Sequence, residues 1–380
     1  MKRLCSFLII IGILPALTGC ALFPSKLHGV ERLLVVQAMG VDAADGAVRL
    51  SMVSTADSSR GEGPVRLSGS GATIRDAADD IISRTTEEEL LCAHTGQILL
   101  GEERARGGID GVLRYVCRSR EIRMDVPLLI VRGDSAERAL LDTGDERIGA
   151  AEILESLRAA APARDGFSPP SVARIAGQLE EGGCALTAAV KVTAASERSE
   201  DGAPLTLAPA GCAVIRDGAL AGFIEQEDVA ALDLLGGARG VHDFVVTDAE
   251  GQRVTLQTAP GRADVVPLRG ETGELRGAEI AVALSASVAE IDGRGALSSG
   301  EYADALAALL EREILRRAGN LVQLEKTLGA DFLGLGERIA LRSSARERAL
   351  DEESGVNFAS LPLRLSVSVS ISHSNDVRDG

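Results

Sequence analysis

Tryptophan is absent from this 380-residue chain, and aromatic residues make up only 2% of it. Sugar-stacking sites and aromatic cages both need ring faces, so neither is expected. Histidine is scarce as well: His28, His94, His242 and His373 are scattered, and no paired-histidine zinc helix occurs. A nucleophile elbow, a phosphate loop and a calcium loop are missing too. The nearest approach to a dinucleotide loop is Gly334-Leu335-Gly336-Glu337-Arg338. It lacks a third glycine and follows a helical pattern rather than a strand, so it reads as a turn needing positive φ. Cys92 and His94, as strand neighbours two residues apart, could share a face. No further ligand stands at a suitable spacing, which favours a core or hydrogen-bonded role for His94 over metal ligation. No metal, no cofactor and no catalytic residue is expected, and nothing argues for an enzyme.

Positive charge is also in deficit, with 40 Lys and Arg against 56 Asp and Glu, a net charge of −16. Such a chain is repelled by nucleic acid and by anionic lipid, so charge alone holds it on neither. Cysteines number six. Cys92, Cys117, Cys184 and Cys212 are separated by gaps far wider than those of a zinc knuckle. Each sits in an apolar stretch, which favours buried free thiols. A secreted chain permits a disulfide, and sequence does not choose among the three pairings of four cysteines.

What is present begins at the N-terminus. Lys2 and Arg3 precede an apolar run over residues 4–17, which ends in Leu17-Thr18-Gly19-Cys20. A charged start, a short apolar stretch and small residues at its end describe a secretory signal. The alternative, an uncleaved membrane helix, needs about 20 apolar residues. The tetrapeptide resembles the lipobox of bacterial lipoproteins, in which the cysteine thiol is diacylated after cleavage. Cys20 is therefore the expected lipidation site, carrying a diacylglycerol anchor and palmitate-type acyl chains. Loss of residues 1–19 removes Lys2 and Arg3 and leaves 38 basic against 56 acidic residues, a net charge of −18. Membrane attachment then falls to the lipid, and two acyl chains suffice for stable anchoring.

Strand and helix patterns alternate along the rest of the chain. Residues 32–40 read as a buried strand, paired through the Asp45-Gly46 turn with residues 48–54. Residues 58–70 read as a loop. Ile74, Ala77, Ala78, Ile81 and Ile82 trace a helix opened by Thr73, with Asp76 in a capping box. A strand at 97–100, a helix through Ile109, Val112, Leu113 and Val116, and a strand at 126–131 follow. Helices are expected at 135–141, around 153–157 and around 172–179, the last stopped by Gly182-Gly183. A strand at 184–192 follows, and the stretch 194–204 reads either as a linker or as a long hairpin loop. Asp217-Gly218 marks the strongest hairpin, between 212–216 and 220–224. Next come a helix at 228–235 and strands at 243–247, 253–257 and 280–288. A long helix over 300–328 carries Ser298 and Glu301 in its capping box and Tyr302, Leu306, Leu309, Leu310 and Ile314 on its stripe. The last strand alternates Leu363, Leu365, Val367, Val369 and Ile371 with Arg and Ser, one face toward a core and one toward water. The expected fold class is α/β, with mixed α+β sheets packed with helices in two to three domains. The expected divisions are 1–19 signal, 20–31 tether, 32–193 first domain, 194–204 linker and 205–376 second domain.

Two charged clusters stand out. Glu87-Glu88-Glu89 reads as a solvated helix end rather than a catalytic pair. Arg118, Arg120, Glu121 and Arg123 form either a solvated face with weak ion pairs or a partner-contact patch.

Several segments carry a family likeness: Gly40-Val41-Asp42, Gly71-Ala72-Thr73-Ile74 and His94-Thr95-Gly96-Gln97-Ile98-Leu99-Leu100-Gly101-Glu102. Gly108-Ile109, Arg118-Ser119-Arg120-Glu121 and Asp331-Phe332-Leu333-Gly334-Leu335-Gly336 complete the set. In this order, after a lipobox, they resemble the spore germination lipoproteins of the Ger(x)C (GerAC) family over nearly the whole mature chain. The resemblance implies several α/β domains and no catalytic residues. It also implies a role as C subunit of a germinant receptor at the inner spore membrane, on the outer face of the cytoplasmic membrane. Two membrane-spanning subunits, one similar to an amino-acid permease, would be its partners. A solute-binding lipoprotein that presents a small ligand to a transporter is the alternative, and it would need two similar lobes around a cleft.

Overall fold

The computed structural model describes residues 33–54, 64–85, 89–145, 148–161, 167–195, 204–237, 239–292 and 300–372. Two sheets, one of nine strands and one of five, carry helices on their faces.

The first sheet opens with β1 (Leu33–Ala44) and β2 (Ala47–Ser54), an antiparallel hairpin turned by Asp45 and Gly46, both at positive φ. β3 (Arg66–Gly71) pairs with β2 at the sheet edge, within a segment whose sequence reads as loop. Its Gly and Ser residues conceal the strand but are required by packing. A Cβ on Gly69 or Gly71 would lie 2.6 or 2.5 Å from the helix that follows. That helix, α1 (Ile74–Arg84), is capped by the Thr73 hydroxyl, which accepts from the Asp76 N–H. α1 also protects the open edge of β3. Ser70 N–H donates to Asp80, and Arg84 donates to the Ser68 carbonyl.

β4 (Glu89–Leu91) and β5 (Gln97–Gly101) both run parallel to β1. Helices α2 (Glu102–Arg106) and α3 (Asp110–Arg118) return the chain to β6 (Leu128–Val131), parallel to β5. α4 (Ala136–Leu141), α5 (Ala150–Ala160) and α6 (Val172–Gly182) lead to β7 (Cys184–Ala194), parallel to β6. Gly183, left-handed at φ 65°, ends α6. The strands bury both faces, as a parallel sheet between helices must. Ile74, Val112, Ile130 and Ile175 pack on one side, and Leu99, Leu129, Leu140 and Leu154 on the other.

The sheet does not end at residue 193. β8 (Leu205–Arg216) pairs antiparallel with β7 from Ala194↔Leu205 to Cys184↔Arg216, and β9 (Ala219–Ile224) adds the far edge. Ala195 N–H donates to Pro204 at 2.9 Å, so the polar stretch between the strands spans a hairpin instead of linking two bodies. The physical reason lies in β8, which is apolar on both faces. Ala213 and Ile215 enter the core beneath α3 and α6, whereas Cys212 and Val214 enter the core of the second sheet.

α7 (Val229–Gly236), β10 (Asp243–Thr247), β11 (Arg253–Thr258), β12 (Arg262–Arg269) and β13 (Leu275–Asp292) follow. β10 pairs with β11, and β11 and β12 in turn line one side of β13, all antiparallel. β12 has no clear sequence signature because Pro267 and flanking charges interrupt its apolar pattern. α8 (Gly300–Leu328) lays Leu306, Leu310, Ile314, Ala318 and Leu321 into the core. Ser298, its expected cap, lies outside the described residues. α9 (Leu335–Ala340) and α10 (Ala345–Glu353) precede β14 (Leu363–Ile371), which pairs parallel with β13. On β14, the Val369 N–H donates to Glu311 of α8 at 2.9 Å.

Candidate anchoring and partner-contact sites

Cys20 lies outside the described residues, which begin thirteen positions later at the start of β1. His28, Glu87, Glu88 and His373 also lie outside them.

The structure gathers Arg118, Arg120, Glu121 and Arg123 on one turn between α3 and β6, all exposed. The turn has a defined shape. The Ser119 hydroxyl accepts from the Glu121 and Ile122 N–H groups at 3.2 and 3.1 Å, and Ile122 is buried beneath it. Arg123 Nε donates to Asp125 at 2.9 Å. Neither Arg118 nor Arg120 forms an ion pair among the described residues. Met124, which the sequence reading left out, stands half exposed in the same turn. An arginine-rich surface with an apolar centre suits contact and offers no catalytic geometry.

The family-like segments serve the scaffold. Asp42 accepts the Ala136 and Glu137 N–H groups, each at 2.8 Å, and so occupies the start of α4. Burial raises its carboxyl above the ordinary range, and those two donors oppose the rise. Gly40 leaves room for Leu140 and Ala136. A Cβ on Gly101 would lie 2.0 Å from the Asp42 carboxylate. In open α/β sheets a ligand commonly sits beyond the carboxyl ends of parallel strands. Here the protein's own Asp42 fills one such position. Beside it, burial works against the charge on Glu102. The Gly133 N–H, at 2.6 Å, and Arg106 outweigh that burial and hold the carboxyl low.

Asp331-Phe332-Leu333-Gly334-Leu335-Gly336 is a self-capped turn. Gly334 has φ 66°, as the sequence expects, and Asp331 accepts the Leu335 and Gly336 N–H groups at 2.7 Å each. Beneath it Glu325, 1% exposed, accepts the Leu333 N–H at 3.1 Å and faces the charge of the neighbouring Asp331. Burial pushes the Glu325 carboxyl up to about 9, and the neighbouring Asp331 charge adds to the effect. The signal for Glu325 was available, since it falls four residues after Leu321 on the apolar stripe of α8.

Cys92 and His94 share no strand face. β4 stops at Leu91, and Thr95 closes a 3₁₀ turn by donating its hydroxyl and N–H to the Cys92 carbonyl, which leaves His94 exposed. The four described cysteines are free, but Cys117 is exposed, because the last turn of α3 directs it away from the apolar face. Burial raises the other three thiols, Cys92 to about 11 and Cys184 to about 12. His242 pairs with Asp233 at 2.9 Å, and its N–H donates to Thr258, which ties α7 to the second sheet. A shallow cleft of about 410 Å³ is lined by Arg132, Lys191, Pro209, Ala210, Glu225 and Gln226. Glu225 already matches Arg132 there through bonds of 2.6 and 2.9 Å.

Residues 28–192 match the model of the spore germination protein N-terminal domain. Residues 210–375 match that of the spore germination B3/GerAC-like C-terminal domain. Among solved structures, that of the GerBC protein is similar with a TM-score of 0.58 at 18% identity, covering 88% of this chain and 96% of that one. At that identity the likeness shows a shared fold. No curated protein sequence matches. With the two family domains in tandem and the fold in agreement, the chain belongs to the GerAC-like family of spore germination proteins.

Proposed function

We propose that this chain is the lipid-anchored C subunit of a spore germinant receptor. It works without catalysis beside membrane-spanning subunits, held through Cys20 on the outer face of the inner spore membrane. The tandem of two GerAC domain matches behind a lipobox carries this reading. The structure supports it in the scaffold role of the family-like residues: Asp42 caps the start of α4, and Asp331 caps its own turn. The solute-binding alternative gains nothing from the geometry. Its two lobes would be alike, whereas a nine-stranded sheet with parallel strands at its centre here shares a core with a mostly antiparallel five-stranded one.

The test is affinity isolation of the tagged protein from detergent-solubilised spore membranes, alongside germination of spores lacking the gene. Recovery of two membrane-spanning partners in fixed ratio, with loss of nutrient-triggered germination in the deletion, is the expected result. Isolation of the protein alone with normal germination would contradict the proposal.

A further inference from the structure

The first sheet has two unlike ends, and the anchor reaches only one of them freely. β1, β5, β6 and β7 run parallel, and the chain enters β1 at Leu33, thirteen residues after Cys20. Thirteen residues span at most ~45 Å. β1, at 12 residues, is itself about 40 Å long. Whatever path the intervening chain takes, the amino ends of the strands can rest on a bilayer. Their carboxyl ends reach it only if those thirteen residues run straight back along the whole strand.

The Arg118–Arg123 turn belongs to the near end. Gly96 N–H donates to Gln37 at 2.7 Å and Ile98 N–H to Pro127 at 2.9 Å, so the chain enters β6 beside the start of β5 and the first part of β1. α3 starts at that same end, where the Ile109 N–H donates to Gly218 in the turn beside the start of β7 at 2.8 Å, and it closes on Arg118. Met124, 51% exposed, stands beside Arg123 on a turn fixed by Ser119 and Ile122. Asp125 neutralises Arg123 and Glu121 offsets one further charge, which leaves a local positive excess on a strongly acidic protein.

We propose that this turn is the membrane-facing surface of the anchored protein. Met124 and the stems of Arg118, Arg120 and Arg123 settle at the headgroup level of a bilayer containing anionic lipid, and the carboxyl ends of the parallel strands point away. The inference rests on the reading of Cys20 as the anchor. Net charge prevents the protein from adsorbing unaided, so the lipid supplies attachment and the turn sets orientation. Arginine suits the task because its apolar stem can lie in the interface while the guanidinium meets phosphate.

The absence of tryptophan makes the test direct. Lipidated Met124→Trp and Ala43→Trp proteins are reconstituted in vesicles of phosphatidylcholine and phosphatidylglycerol with brominated acyl chains. Ala43 is exposed at the opposite end, where β1 turns into β2 through Asp45 and Gly46. Flotation reports the anchor and bromine quenching reports orientation. The expected result is loss of emission from the Met124→Trp protein, none from the Ala43→Trp protein, and a smaller loss after Arg118→Gln with Arg120→Gln. Floated protein with equal quenching at both positions, or with none at Met124→Trp, overturns the proposal. Failure to float overturns the anchor and the orientation with it. Hydrogen exchange on the unsubstituted protein needs no variant: slowing over residues 118–126 on vesicles supports the orientation, and unchanged exchange in floated protein contradicts it.

Discussion

Glu325 shows how one residue links the apolar stripe of α8 to a polar turn. Its carboxyl is buried and raised to about 9, so the folded protein holds a proton there that the unfolded chain releases above about pH 4.5. Stability from this group is therefore fully present below the unfolded value and lost as pH rises toward 9. Glu325→Gln keeps the shape and removes the titration. Between pH 5 and pH 9, wild type should lose on the order of 1–3 kcal/mol more than the variant in urea unfolding. Parallel pH profiles would contradict the assignment. Asp42, whose carboxyl burial also raises, accepts the Ala136 and Glu137 N–H groups at the start of α4. Asp42→Ala leaves both donors unmet and should cost about 2–3 kcal/mol by the same measurement.

At the scale of elements, helix and strand alternation was legible wherever burial is one-sided or complete, as in α1, α3, α8 and β14. The missed pieces have physical causes. β3 is an edge strand whose glycines serve close approach, and β12 carries a proline and charges. The arginine cluster was legible as a set. Its partner Met124 was not, because a single methionine carries no period. Cys117 was misjudged because the apolar residues around it, Val112, Leu113 and Val116, face inward while it faces out. In thiol titration of the folded protein Cys117 should react quickly and Cys92, Cys184 and Cys212 only on unfolding. Rapid reaction of Cys212 would contradict the packing of β8. Leu310→Ala, in the middle of the α8 stripe, should cost about 2–5 kcal/mol of stability by urea unfolding.

At the scale of the molecule, β8 is the element that unites the two sheets, with alternate residues in two cores. A fragment ending at residue 193 would lose β8 and β9 and expose the face of β7 that they pair with. A fragment ending at 225 would keep the first sheet whole. The longer piece should therefore be recovered folded more readily than the shorter, as judged by proteolysis. Equal resistance of the two would show that the sheet closes without those strands. The same continuity ties the proposed membrane-facing turn to the second sheet, because β8 enters both cores.

All of these scales meet at the proposed attachment of the protein to a membrane. The direct measurement is fractionation and germination of spores that carry Cys20→Ala in place of the wild-type gene. The account predicts that the variant protein leaves the membrane fraction and that nutrient-triggered germination is impaired. Full membrane retention with normal germination would contradict it.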